Sequence, residues 1–187
     1  MGVAVQQVKG AVLKSRLAFV EEHAGKDGLT KVLASLPAED QRLLRIVFTS
    51  NWYPFEIGKR LDDAIVKVLG GGRADFFEKL GEASAVKNLG GIHSGYLTKG
   101  DAHGFLSKAP TIYAAYYETG RREYEKTGER SARLTTYDAE TFSAPDCLTV
   151  VGWYKKALAM CGVEGARVTE TECRAKGGTV CRYEISW

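Results

Sequence analysis

The sequence predicts an α+β fold in which N-terminal helices pack on a small antiparallel sheet. Three observations carry that prediction. Over the first 120 residues, apolar positions recur at helical spacing with Gly and Pro between the segments. Residues 122–137 and 166–187 each read as a β-hairpin around turn residues. Between the hairpins, Ser143-Ala-Pro-Asp146 matches the capping signature of a helix N-terminus. The order helices, hairpin, helix, hairpin favours antiparallel strands over the alternating units of a parallel sheet. At 187 residues the chain is read as one domain, 1–120 mainly helical and 121–187 hairpin, helix and hairpin.

Each element has its own local reason. Val5 to Val12 reads as a short strand, followed by helices over Ser15 to His23 and Leu29 to Leu36. Pro37 with Glu39 and Asp40 has first-turn chemistry, and Leu43, Leu44, Val47 and Phe48 supply one apolar face. Pro54 opens the next helix in the same way. Its Ile57, Leu61, Ile65 and Val68 keep helical spacing until Gly70 to Gly72 end it. Phe76, Phe77 and Leu80 mark a helix that ends by Gly90. Pro110 opens one more, with Tyr113, Tyr116 and Tyr117 on one face. Thr127-Gly128-Glu129 turns the first hairpin, and the capped helix runs from Ser143 to about Cys161 before Gly162.

Composition narrows the function classes. The chain is 44% hydrophobic and 26% charged, as in an ordinary globular protein. Its net charge of +3 is scattered rather than gathered into a basic patch, so no nucleic-acid partner is expected. The N-terminus lacks a secretion signal, and no segment reaches the ~18 apolar residues of a membrane span. A cytoplasmic protein with reduced thiols is the expectation.

The four cysteines are the sharpest chemical signal. Cys147 lies in the first turn of the capped helix and Cys161 at its far end, 14 residues or roughly 21 Å away, so the two do not share a metal. A three-residue loop Lys176-Gly177-Gly178 sets Cys173 opposite Cys181, with Cβ atoms roughly 4.5–5.5 Å apart. Two thiolates at that spacing suit one zinc, but the geometry is also near disulfide range. Cys147 is the natural third ligand, because the helix dipole favours its thiolate. Glu170, Glu172 and His23, His93 or His103 compete as the fourth.

Cys147, then Glu170-x2-Cys173-x7-Cys181, together with Leu158-Ala-Met-Cys-Gly162 and an aromatic-aliphatic finish, resembles the 4-vinyl reductase domain family over about residues 143–187. Such domains are the sensory part of phenol-responsive bacterial activators and share their fold with small TRAPP subunits. The resemblance implies a structural zinc held by Cys147, Glu170, Cys173 and Cys181, a zinc-clipped C-terminal hairpin and a homodimer. A heme nitric-oxide sensor of similar length would need a Tyr-x-Ser-x-Arg element, which this sequence lacks.

With zinc structural, function falls to the aromatic residues. His93, Tyr96, Tyr113 and Tyr117 are the candidate contacts for a small hydrophobic or aromatic ligand in an internal pocket. The implied function is a non-catalytic bacterial sensor or regulatory domain. The alternatives are an assembly module with a TRAPP-like dimer and an enzyme of vinyl-reductase type, for which no nucleophile, base and orienter are grouped in the sequence.

Overall fold

A computed structural model describes residues 6–91 and 93–187. Its helical part begins with strand β1 (Gln7–Lys9), which pairs antiparallel with β2 (Trp52–Pro54). The Val5 end of the expected first strand lies outside the described residues. Helix α1 (Gly10–Ala34) joins what the sequence divided into two helices, and Gly25, at φ 65°, is the kink between them. Helix α2 (Ala38–Leu44) is shorter than expected. Val47 is buried beyond its end, while Phe48 is 63% exposed, so the apolar face there is not a helical one.

Helix α3 (Phe55–Val68) starts after Pro54 as its sequence dictates and buries Ile57, Leu61 and Ile65. Helix α4 (Phe77–Leu89) follows, and the short α5 (Ala102–Leu106), capped by the Asp101 carboxylate, was not anticipated. Helix α6 is Ala109–Tyr116. Helix α7 (Ala144–Met160) begins at Ser143, whose hydroxyl accepts the Asp146 N–H at 3.2 Å as the capping signature predicts.

The sheet has the order β3-β4-β6-β5, all antiparallel, with β3 Arg121–Gly128, β4 Ser131–Tyr137, β5 Arg167–Glu172 and β6 Cys181–Ser186. Period-two alternation puts Ala132, Leu134 and Thr136 of β4 beside Cys181, Tyr183 and Ile185 of β6 on the buried face. Trp153, Tyr154, Ala157 and Leu158 of α7 join that core. A second core fills the space between α1, α3 and α4, and Val12 and Tyr117 pack against both. The tightest join is α4 on α7. A Cβ on Gly152 would lie 1.8 Å from the Glu78 carbonyl oxygen, and one on Gly81 would lie 2.1 Å from that of Thr149. The expected α+β class with antiparallel strands is the one observed. No described helix is long and apolar enough to cross a membrane.

Candidate functional site

The end of the sheet nearest α7 gathers three of the four cysteines. Cys147 comes from the first turn of α7, Cys181 from the start of β6, and Cys173 from the loop after β5. The Cys147 sulfur lies 3.7 Å from that of Cys181 and 3.6 Å from that of Cys173, and all three are buried and unbridged. The register Glu172 to Arg182 aims Cys173 at Cys181. The loop between them is longer than three residues, however: it holds a 3₁₀ turn, Arg174–Lys176, ended by Gly177 at φ 90°. Cys161 stays outside the cluster, as its distance along α7 requires.

The thiols divide their protons unequally. Cys147 is pushed up, first by hydrogen bonds to the Cys173 and Cys181 sulfurs and then by burial, so the helix dipole does not make it the thiolate. Cys181 falls to about 7 because Cys147 supplies it a hydrogen bond, against burial and with help from the Arg174 N–H at 3.5 Å. Cys173 is lowered as well, the largest cause being its sulfur–sulfur hydrogen bond with Cys147.

Among the competing fourth groups, the two glutamates separate cleanly. Glu172 is occupied: its carboxylate accepts the Thr179 and Val180 N–H groups and pairs with Arg182, closing the loop. Glu170 lies beside the Cys173 thiol. One of its oxygens accepts from Lys176 at 2.7 Å, and the other is buried without a partner. A register shift between Glu170 and Glu172, the bulge that strand parity demanded, turns it there. None of the three histidines joins the cluster.

Beside the cluster, between α1, α4, α6, α7 and β3, lies a cavity of about 70 Å³. Of the predicted ligand contacts, Tyr113 and Tyr117 line it together with Tyr116 and Tyr154, which the sequence did not single out for ligand contact. His93 and Tyr96 do not line it: His93 stacks on Tyr96 at 5.4 Å and meets Tyr116 edge-on at 5.6 Å, one layer behind. Burial lowers the His93 pKa, which keeps the ring neutral.

Two buried arginines that the sequence did not flag reach this cavity. Arg16 of α1 donates from Nε to Asp62 at 2.6 Å and from Nη2 to Asp146 at 2.7 Å, tying α1 to α3 and α7. Tyr117 also donates to Asp146, at 3.0 Å. Arg122 of β3 donates from Nε to the Thr136 hydroxyl at 2.9 Å. An arginine in the inward phase of a hairpin strand was the available signal for it.

Solved structures similar in fold are H-NOX proteins. An H-NOX mutant from K. algicida in the Fe(II) unliganded state has a TM-score of 0.71 and 14% identity, with 95% of each chain covered. An H-NOX protein from S. oneidensis in the Fe(II)NO state has a TM-score of 0.71 and 12% identity, covering 95% of this chain and 98% of that one. A structure from a study of heme distortion in the H-NOX family has a TM-score of 0.72 and 12% identity, covering 96% and 94%. No curated protein matches the sequence.

These neighbours overturn the 4-vinyl reductase and TRAPP resemblance, and with it the vinyl-reductase-type sensor, assembly-module and enzyme readings. The structural zinc rested on the same resemblance and falls with it, the fold neighbours being heme proteins instead. The physical reason is the short reach of the motif. A capped helix and a Cys-x7-Cys hairpin are local devices that several folds accommodate, whereas the arrangement of the helices around the sheet is not written in those 45 residues.

The residues present do not fit a heme. The 70 Å³ cavity is far below the ~300 Å³ at which pockets for drug- and cofactor-sized molecules begin. Of the usual axial ligands it offers only tyrosine, and burial pushes Tyr113 and Tyr116 up to about 12, against the phenolate. A wider groove at His23 is superficial, with His23, Arg73 and Lys79 exposed, so a porphyrin there would keep much of its surface in water. The absent Tyr-x-Ser-x-Arg element had argued against the fold that is found. The match of residues 52–187 to a family model decides membership: the chain belongs to the family described as Protein of unknown function (DUF2378).

Proposed function

We propose that this chain is a cytoplasmic, single-domain sensor built on the H-NOX fold, with its chemically responsive element in the three-thiol cluster rather than in a heme. Cys147, Cys173 and Cys181, with Glu170 as fourth donor, capture a thiophilic metal ion, and the capture stiffens the β5–β6 loop against the first turn of α7. The observation that carries this reading is the sulfur spacing. Metal–sulfur bonds of ~2.3 Å in a tetrahedral site put neighbouring sulfurs about 3.8 Å apart, and Cys147 lies 3.7 and 3.6 Å from its two partners. The partnerless Glu170 oxygen supplies a hard donor beside them. Proton release on binding is smaller for Cys181, whose thiol is lowered, than for Cys147, whose thiol is raised.

The test is a cadmium titration of the reduced full chain, read by metal content and by the sulfur-to-cadmium charge-transfer band. One ion per chain is expected, with the band lost in Cys173→Ser and kept in Cys161→Ala. Equal binding by both variants, or no thiolate band in the wild type, refutes the assignment.

A further inference from the structure

The two arginines of the central cavity are matched differently, and that difference points to a ligand. Arg16 is fully answered: two carboxylates and the Val12 carbonyl take its donors. Arg122 is 8% exposed and lines the same cavity, yet among the described residues no carboxylate pairs with it; its Nε donates to the Thr136 hydroxyl and Tyr154 is its other polar neighbour. Its neighbours are the rings of Tyr113, Tyr154 and Tyr183, at 4.9, 5.8 and 5.7 Å from the guanidinium carbon. Ring faces ease a cation without neutralising it, and arginine does not discard its proton. A buried charge of this kind calls for a counter-ion.

The cavity has the rest of an acid site. The hydroxyl of Tyr116 is buried without a hydrogen-bond partner, ready to donate to an oxygen, and Tyr154 stands beside Arg122. Ile112, Val150 and Trp153 form an apolar wall. Its volume of about 70 Å³ leaves room for a carboxylate with a short alkyl tail.

We propose that this cavity binds a short-chain monocarboxylate of about two to four carbons, its carboxylate held by the Arg122 Nη groups and a tyrosine hydroxyl and its tail against Ile112 and Val150. The site is separate from the thiol cluster and stands whether or not metal binds there. Thr136 connects the two, because its hydroxyl holds Arg122 and its backbone pairs with Cys181.

The test is calorimetry and thermal unfolding of the full chain with sodium butyrate, against butyramide and sodium chloride at matched ionic strength. Saturable binding of one butyrate per chain is expected, with butyramide at least 10-fold weaker. Arg122→Met should weaken butyrate about 10- to 100-fold, as the loss of a charge-assisted bond does, and Arg122→Lys should retain part of the affinity. Should Arg122→Met fail to fold, the lysine variant and the butyrate-to-butyramide ratio on the wild type still decide. Butyrate acting no better than butyramide or chloride, or binding Arg122→Met as tightly as wild type, overturns the proposal. If Arg122 serves only as counter-charge to the thiols, removing it shifts cysteine reactivity and the wild type ignores butyrate.

Discussion

Replacing Arg16 with Met tests how the helical part is held to the part that carries the thiols. Arg16 joins three helices through Asp62 and Asp146, all three residues at or below 5% exposure. Its removal leaves two buried carboxylates with no cation between them, and breaking such a site from one side costs about 3–5 kcal/mol. For a domain of this size each kcal/mol moves the melting temperature by about 2–4 °C, so a fall of about 6–20 °C is expected at pH 7. Burial raises Asp62 from 3.8 to about 6 against the pull of Arg16. Because the folded pKa lies above the unfolded one, the fold binds this proton more tightly. The associated stability is present below about pH 4 and lost as pH rises through 6. At pH 5 the carboxyl left by Arg16→Met is therefore largely neutral, and the loss should be about half that at pH 7. Circular-dichroism melts at both values read the difference, and Asp62→Asn in the Arg16→Met background should recover part of it. A fall below 3 °C at pH 7, or a larger fall at pH 5, refutes the account of the triad.

Hemin added to the reduced chain should give no stoichiometric complex by visible absorption, and a tight one-to-one complex would show that the cavity opens beyond what its tyrosines allow. Gly152→Ala should cost about 3 kcal/mol or more in urea unfolding, because its methyl meets the Glu78 carbonyl of α4; a change under 0.5 kcal/mol would mean the helix pair slides freely. Ser143→Ala should cost about 1 kcal/mol through the lost α7 cap, measured the same way, and an unchanged midpoint would show the cap to be redundant.

Local chemistry was legible wherever it acts over a few residues. The capped start of α7, the helix after Pro54, both hairpins and the remoteness of Cys161 follow from capping, periodicity and rise per residue. Element boundaries were less so. One glycine at positive φ kinks α1 without ending it, and a five-residue helix such as α5 has too little period to announce itself. The motif over residues 143–187 pointed to the wrong family, because a cysteine pattern records the local geometry of sulfur and nothing of the helices stacked behind it.

The sequence by itself determined the α+β class, the antiparallel pairing and the facing of Cys173 and Cys181, since all of these rest on short-range pattern and strand register. Only the tertiary structure decided that the helices take the H-NOX arrangement, that Glu172 is spent on a loop while Glu170 is left beside Cys173, and that Arg16 finds two carboxylates where Arg122 finds none. Those outcomes depend on contacts between residues as far apart as Arg16 and Asp146. Such contacts leave no periodic trace, and they exist only once both cores have closed.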